Sequence, residues 1–456
     1  MKKMKKLIIL LLLVFSFIHP ISETAYGKNG PKNIILLIGD GMGLGQMEIA
    51  RLFEYGKQGK LYTETLPYTA LAHTYSANNR VTDSAAGGTA LAIGEKTRNE
   101  MIGVGASGKE KKSILDLFKE HGYKTGIVTT NSVTDATPAS FTASVKNRWA
   151  DQREIAKQQL ENQVDVIMGG GLSYFAANKK GETNLIKEYQ NAGYQFVNTN
   201  KTLHQATNAK ILGLFGPKHL NFKLDRDELH SQEPSLTEMA AKTLETLSTD
   251  SKGFFAMIEG ARIDHASHSS DITSIWKETI EFDETVKYCV EWAKKHSDTL
   301  VVVAADHETM GISASEPMNI NTLKKISVTP YYMESQLQKN KSGIGYTNDS
   351  IKKVFKQYAY ITLSNRDVAL FQSNIKTEKE QVYPEQQVAW EIGNKIAEYY
   401  HAGSLNRSTE KLSTTGGHTS NMIAIFAYGK GASQFHGVMD NTDIPKKLAA
   451  LMEFAL

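Results

Sequence analysis

The chain has 456 residues, 41% of them apolar and 22% charged, with 35 Gly and 10 Pro. That composition describes a large globular protein and excludes a disordered, collagenous or polytopic membrane chain. The formal charge of +3 comes from Lys2, Lys3, Lys5 and Lys6 against Glu23 in the first 25 residues; beyond them basic and acidic side chains balance, which argues against a nucleic-acid or anionic-membrane binder.

Those four lysines precede an apolar run from Leu7 to Ile18 and a polar stretch ending near Ala25. The pattern predicts a secretory signal peptide over residues 1–25 and an exported mature protein, periplasmic or extracellular. The run is short for a membrane span, which takes about 20 residues, although an uncleaved anchor is the alternative reading. Cys289 is the only cysteine, so neither an intramolecular disulfide nor a thiolate metal cluster can form, and any metal must use His and carboxylate ligands.

Along residues 26–456 short apolar runs alternate with amphipathic stretches, the signature of an α/β fold with a central, largely parallel sheet flanked by helices. Buried, mostly parallel strands are expected at 33–38, 124–130, 164–168, 254–258, 299–304 and 422–428. Helices are expected at about 113–121 and 271–295, where Ile275, Phe282, Val286, Cys289 and Ala293 recur at helical spacing and place Cys289 in the core. A last helix should start near Asp443, acting as its cap ahead of Pro445, and run to the C-terminus. Residues 311–412 break the alternation and are richer in Lys, Gln, Asn and Tyr; they predict an inserted subdomain or lid.

Polar residues gather where strands end. Asp40-Gly41 follows the first strand, Glu259 and then Asp264-His265-Ala266-Ser267-His268 follow the fourth, and Asp306-His307 follows the fifth. The carboxyl ends of parallel strands form one edge at which ligands bind, so these residues are placed to meet. Asp264 and His268, four apart, share a helical face. With Asp40, Asp306, His307 and His418 from the Gly416-Gly417-His418-Thr419 stretch they supply three carboxylates and three imidazoles, enough for two oxygen- and nitrogen-ligated divalent metals. His121, His219, His296 and His436 stand in polar surroundings and read as solvated.

Ser84 opens a helix of small residues in Val81-Thr82-Asp83-Ser84-Ala85-Ala86-Gly87-Gly88. A hydroxyl there feels the positive helix end, and nearby amides can receive an anion. The stretch reads equally as a serine that merely caps the helix. Having neither a G-x-S-x-G elbow nor an adjacent His, Ser84 would need a metal to activate it.

In order, IGDGMG, VTDSAAGGTA, TDATPAS, IEGARIDHASH, AADHE and TTGGHT resemble the alkaline phosphatase family from Asn33 to Tyr428. The resemblance implies hydrolysis of phosphate monoesters through a phosphoserine, with two zinc ions and one magnesium. It assigns the nucleophile to Ser84, one zinc to Asp264, His268 and His418, and the other to Asp40, Asp306 and His307, beside Ser84. Magnesium would take Asp40, Thr137 and Glu259, and Arg148, thirteen residues after Asp135, would clamp the phosphoryl group. Without the resemblance, Thr137 reads as a turn, Glu259 as a strand end and Arg148 as a surface residue. Asp135 and His265 would contact substrate through water or the third metal, as a mixed pair that leaves the metal preference there open. Small-molecule esters are the implied partners, and a homodimer is compatible with them. A phosphodiesterase or sulfatase on the same scaffold, or a non-catalytic binding protein, is the competing reading; the first lacks a use for the third-metal trio, and the last should have lost a ligand.

Overall fold

The computed structural model describes residues 30–177, 181–341, 343, 345–376 and 384–456. The predicted signal peptide lies outside the described residues. Twelve strands are described: β1 (Asn33–Gly39), β2 (Tyr68–His73), β3 (Lys124–Ser132), β4 (Val166–Gly170), β5 (Gln195–Val197), β6 (Ile211–Leu214), β7 (Phe254–Gly260), β8 (Thr299–Ala304), β9 (Glu308–Thr309), β10 (His418–Thr419), β11 (Ile423–Gly429) and β12 (Gly437–Asp440). Ten form one sheet in the order β12-β2-β11-β8-β1-β7-β3-β4-β6-β5, while β9 and β10 pair separately.

The central strands are buried on both faces, which is why NIILLI, FFAMI and TLVVVA read as unbroken apolar runs rather than alternating ones. Every pairing in the large sheet is parallel except those of β11, which runs antiparallel to both β8 and β2. The sheet is thus largely parallel, as expected, with β11 its one reversed strand, and the physical consequence is direct. A reversed strand delivers the residues before it, not after it, to the carboxyl edge, so His418 reaches the edge that Asp40, Glu259 and Asp306 occupy.

The helix Ile272–Lys295 is capped by Asp271 and buries Ile275, Phe282, Val286, Cys289 and Ala293 against the sheet. Burial also pushes the Cys289 thiol far up, so it stays an inert core group. Ser113 caps the helix Ile114–Glu120 in a reciprocal box with Asp116. The C-terminal helix covers Asp443–Leu451 but departs from expectation at its start and its end: Thr442 holds the N-cap position, and Asp443 Oδ2 instead accepts from the Asp440 amide at 3.1 Å. Residues 452–456 lie beyond the helix, and Phe454 packs edge-on to Phe118 and stacked on His121.

Between β9 and β10 the described chain forms helices, among them Pro330–Ser335, Asn348–Tyr358, Asn365–Asn374 and Gln387–Tyr399, and adds no strand to the large sheet. Tyr331 stacks on Phe222 of the sheet body, donates from its hydroxyl to Gln386 Oε1 at 2.9 Å and accepts from Trp390 Nε1 at 3.0 Å. Tyr332 packs edge-on to Tyr358, whereas Tyr360 is about half exposed. No described helix is long and apolar enough to cross a membrane.

Candidate active site

The carboxyl edge of the sheet carries a cavity of about 360 Å³ lined by Asp40, Ser84, Asp135, Arg148, Asp264 and His268, among others. Gly41 allows the close approach that starts it. At φ +66° it turns the chain sharply after β1, and a Cβ there would fall 2.7 Å from Asp264 Oδ1 and 2.8 Å from Thr309 Oγ1. Its amide donates to Asp306 Oδ1 at 3.1 Å, which ties the ends of β1 and β8 together.

Two ligand groups result. Asp264, His268 and His418 form one, and Asp40, Asp306 and His307 the other; within each, the donor atoms lie within 4.8 Å of one another and every residue is buried. In the first, His268 Nε2 is 3.1 Å from Asp264 Oδ2 and 3.2 Å from His418 Nε2. In the second, His307 Nε2 is 3.4 Å from Asp40 Oδ1 and 3.3 Å from Asp306 Oδ2.

The other ring nitrogens explain the orientation. His268 Nδ1 donates to the Gly416 carbonyl at 2.7 Å and His418 Nδ1 to the Thr82 carbonyl at 2.9 Å, while Thr309 Oγ1, which donates to Asp264 Oδ1, sits 3.2 Å from His307 Nδ1. Each imidazole therefore directs Nδ1 outward and turns Nε2 inward, the orientation a metal ligand requires.

Burial and the mutual repulsion of Asp306, Asp264 and Glu259 hold Asp40 well above the usual carboxylate range, and burial likewise raises Asp306. Burial pushes Glu259 up to about 8. At Asp264 burial also acts upward, but His268, His418 and His307 outweigh it and hold the carboxyl well below the usual range. Asp40 Oδ1, Asp306 Oδ2 and Thr137 Oγ1 are buried without a partner in hydrogen-bonding geometry. Such orphaned oxygens among repelling carboxylates fit divalent cations, since a buried anion needs a counter-charge. Thr137 and Glu259, at the start of the helix Ala136–Ser140 and the end of β7, add an oxygen-only donor pair of the kind magnesium takes.

Ser84 is the first residue of the helix Ser84–Ile93, and the cap is Asp83, whose carboxylate accepts from the Ala86 amide at 2.9 Å. The capping reading of Ser84 is thereby displaced. Its hydroxyl instead lies 3.1 Å from His307 Nε2, at the helix end with the positive dipole. Gly87 lets that helix approach β8 closely, because a Cβ there would sit 2.9 Å from the Asp306 carbonyl oxygen.

Arg148, which reads as a surface residue only when the family resemblance is set aside, is 5% exposed. Its Nη2 donates to Asp135 Oδ1 at 2.8 Å, its Nη1 is 3.7 Å from Asp83 Oδ2, and its guanidinium lies over the Trp149 ring. Asp135 also caps the helix carrying Thr137. His265 lies farther along the same wall, where burial and the charge of Arg262 keep its imidazole neutral, and its ring meets that of His219 edge-on at 5.6 Å. His219 is exposed, as expected, but stands at the rim of the same cavity. Sequence reasoning also passed over Arg262, although it stands inside the IEGARIDHASH stretch, and Asp83, whose only signal was its place before Ser84.

A serine hydroxyl beside one buried group of carboxylates and imidazole, with a second such group and a braced guanidinium on the same cavity, is an arrangement suited to metal-assisted phosphoryl transfer. The family model "Alkaline phosphatase" matches residues 31–454. The chain belongs to the alkaline phosphatase family, and it is an alkaline phosphatase in the sense of a phosphoric monoester hydrolase. It is 32% identical over 428 residues to alkaline phosphatase 4 of Bacillus subtilis, covering 90% of this chain and 87% of that one. Among solved structures, the Thermus thermophilus alkaline phosphatase superposes with a TM-score of 0.82 at 25% identity, over 96% of both chains. The cold-active enzyme of a psychrophilic Shewanella gives 0.76 at 28% identity, over 92% of this chain and 99% of that one. A histidine-to-aspartate variant of the alkaline phosphatase from the Antarctic bacterium TAB5, described with Mg bound in its M3 site, gives 0.66 at 27% identity, over 94% of this chain and all of that one.

Proposed function

We propose that the chain is an exported phosphomonoesterase acting through a covalent phosphoserine on Ser84, with two zinc ions and one magnesium. The observation that carries this reading is the position of Ser84 Oγ, 3.1 Å from an imidazole of one buried ligand group and on the same cavity as the other. Asp264, His268 and His418 would hold one zinc, Asp40, Asp306 and His307 the second beside Ser84, and Asp40, Thr137 and Glu259 the magnesium. When bound, these ions act as Lewis acids that favour the serine alkoxide and offset charge on the entering and leaving oxygens.

The chain's own groups do the rest. Ser84 Oγ attacks phosphorus as the bond to the leaving alcohol breaks, and water then cleaves the phosphoserine to return Ser84 and phosphate. Phosphoryl transfer spreads charge over the peripheral oxygens, so the planar fork of Arg148 binds two of them while Asp135 and Asp83 keep it aimed. Asp135 has a second effect, since a carboxylate beside the Thr137 and Glu259 oxygens suits magnesium, in line with the Mg-bound aspartate variant of the TAB5 enzyme. The signal over residues 1–25, export of residues 26–456, a lid role for residues 311–412 and a homodimer complete the proposal.

Hydrolysis of p-nitrophenyl phosphate beside bis-p-nitrophenyl phosphate at pH 7–11 tests it, for wild type and Ser84→Ala with zinc and magnesium supplied. Monoesterase activity that collapses in the variant, with label from a phosphorus-32 ester retained on acid-quenched wild type alone, is the expected result. Activity on the diester only, or monoesterase activity surviving Ser84→Ala, overturns it.

A further inference from the structure

The cavity contains a second guanidinium that the phosphoryl chemistry does not use. Arg262 opens the helix Arg262–His268, is 4% exposed and lines the same cavity as Ser84. Its Nη1 donates to His265 Nδ1, and its guanidinium lies 3.6 Å over the Phe222 ring. Its Nε is buried without a hydrogen-bond partner. Among the described residues no carboxylate forms an ion pair with it within 4.0 Å, although Glu278, Asp225 and Glu233 act on it from farther away. Each of those three is engaged elsewhere: Glu278 accepts from the Lys223 amide, Asp225 from the amide and hydroxyl of Thr329, and Glu233 from the amide and side chain of Asn221.

The contrast with Arg148 is chemical. Arg148 has two aspartates within 4 Å to offset its charge when no substrate is present, while Arg262 has none at that range. A buried cation without a counter-ion is costly, and a stacked aromatic ring offsets only part of that cost. The missing anion has one open approach, the cavity, whose wall also carries Lys218 beside His219.

We propose that Arg262, with Lys218 at the rim, forms a leaving-group subsite for a second oxyanion, making phosphomonoesters whose leaving group bears a carboxylate or another phosphate the preferred substrates. This rests on the monoesterase reading of the cavity. Glu385, which lines the cavity as well, sets the opposite sign there and confines the preference to the Arg262 wall.

The test compares kcat/KM within two matched pairs on the metal-loaded full chain: 3-phosphoglycerate against glycerol 3-phosphate for carboxylate, and fructose 1,6-bisphosphate against fructose 6-phosphate for phosphate. The anionic member should be favoured roughly ten- to a hundredfold in at least one pair, the range of a charged hydrogen bond, and the pair that shows it identifies the oxyanion. Arg262→Gln should bring that ratio to near one, and Lys218→Gln should lower it by a few fold. If Arg262→Gln does not fold, Arg262→Lys replaces it, with a several-fold fall expected from loss of the fork. Ratios of one or below in wild type, or ratios unchanged in the folded Arg262 variant, overturn the subsite. Turnover of p-nitrophenyl phosphate and both neutral esters with no anionic preference would sink the subsite alone; turnover of none of these esters would sink the monoesterase reading and the subsite with it.

Discussion

The hydroxyl of Ser84 stands 3.1 Å from Nε2 of His307, the same nitrogen that faces Asp40 Oδ1 at 3.4 Å and Asp306 Oδ2 at 3.3 Å. Taken alone, the first contact resembles a serine with its general base. The carboxyl groups argue otherwise, because two of them crowded in burial onto one imidazole nitrogen call for positive charge among them. On the proposed reading His307 is a metal ligand and Ser84 needs no protein base. Chelation should abolish p-nitrophenyl phosphate hydrolysis at every pH from 7 to 11, with recovery on adding zinc and magnesium. A histidine base would instead leave residual activity rising with pH in the chelated protein. Chelation should also lower Tm, since ions at 100 times their Kd contribute about 2.7 kcal/mol per site.

Asp83 joins two tasks that substitution can separate. Its carboxylate caps the Ser84 helix through the Ala86 amide and stands 3.7 Å from Arg148 Nη1. Asp83→Asn keeps an oxygen for the cap but removes the charge and the Oδ2 that accepts from the Glu100 amide at 2.9 Å, so KM for p-nitrophenyl phosphate should change with a smaller loss of stability than in Asp83→Ala. Asp83→Ala removes both, adding a loss of about 0.5–2 kcal/mol in denaturant unfolding. Equal stability losses in the two variants would show that the ion pair, not the cap, holds the helix.

Arg148→Lys should keep the fold and lower kcat/KM by roughly ten- to a hundredfold, because an ammonium cannot span two phosphoryl oxygens while bonded to Asp135. Steady-state kinetics with a Tm control decide it, and a kcat/KM within twofold of wild type would remove Arg148 from the clamp.

Both candidate ligand groups were legible in the sequence because strand ends are marked by apolar runs, and parallel strands carry the residues that follow them to one edge. Asp40, Asp264, Asp306 and His307 follow directly from that rule. His418 does not, because it precedes its strand; only the reversal of β11 brings it to the edge, and an apolar run carries no direction. Thr137 and Arg148 depend on a loop and a short helix, where spacing fixes no position in space, and only the family resemblance pointed to them. Arg262 was hidden for another reason: what distinguishes it is the absence of a nearby counter-ion, a property of packing between distant segments rather than of local pattern.

The long helix Ile272–Lys295 offers a pH test at a carboxyl group outside both ligand groups. Its N-cap, Asp271, accepts from the Ser274 amide at 3.1 Å and from the Ser274 hydroxyl, yet burial pushes its carboxyl up to about 7. A folded-state pKa above the unfolded value means that Asp271 contributes most below about pH 4. That contribution is lost as pH rises through about 7, at no more than about 1.4 kcal/mol per pH unit. Asp271→Asn keeps a cap oxygen and has no charge to bury. Its Tm relative to wild type should therefore rise from pH 5 to pH 8, ending above wild type at pH 8 when both are measured at the same metal concentrations. Differencing the two proteins cancels the pH dependence of metal binding that they share. Parallel Tm curves across that range would show that Asp271 is ionised throughout and that the cap offsets the whole cost of its burial.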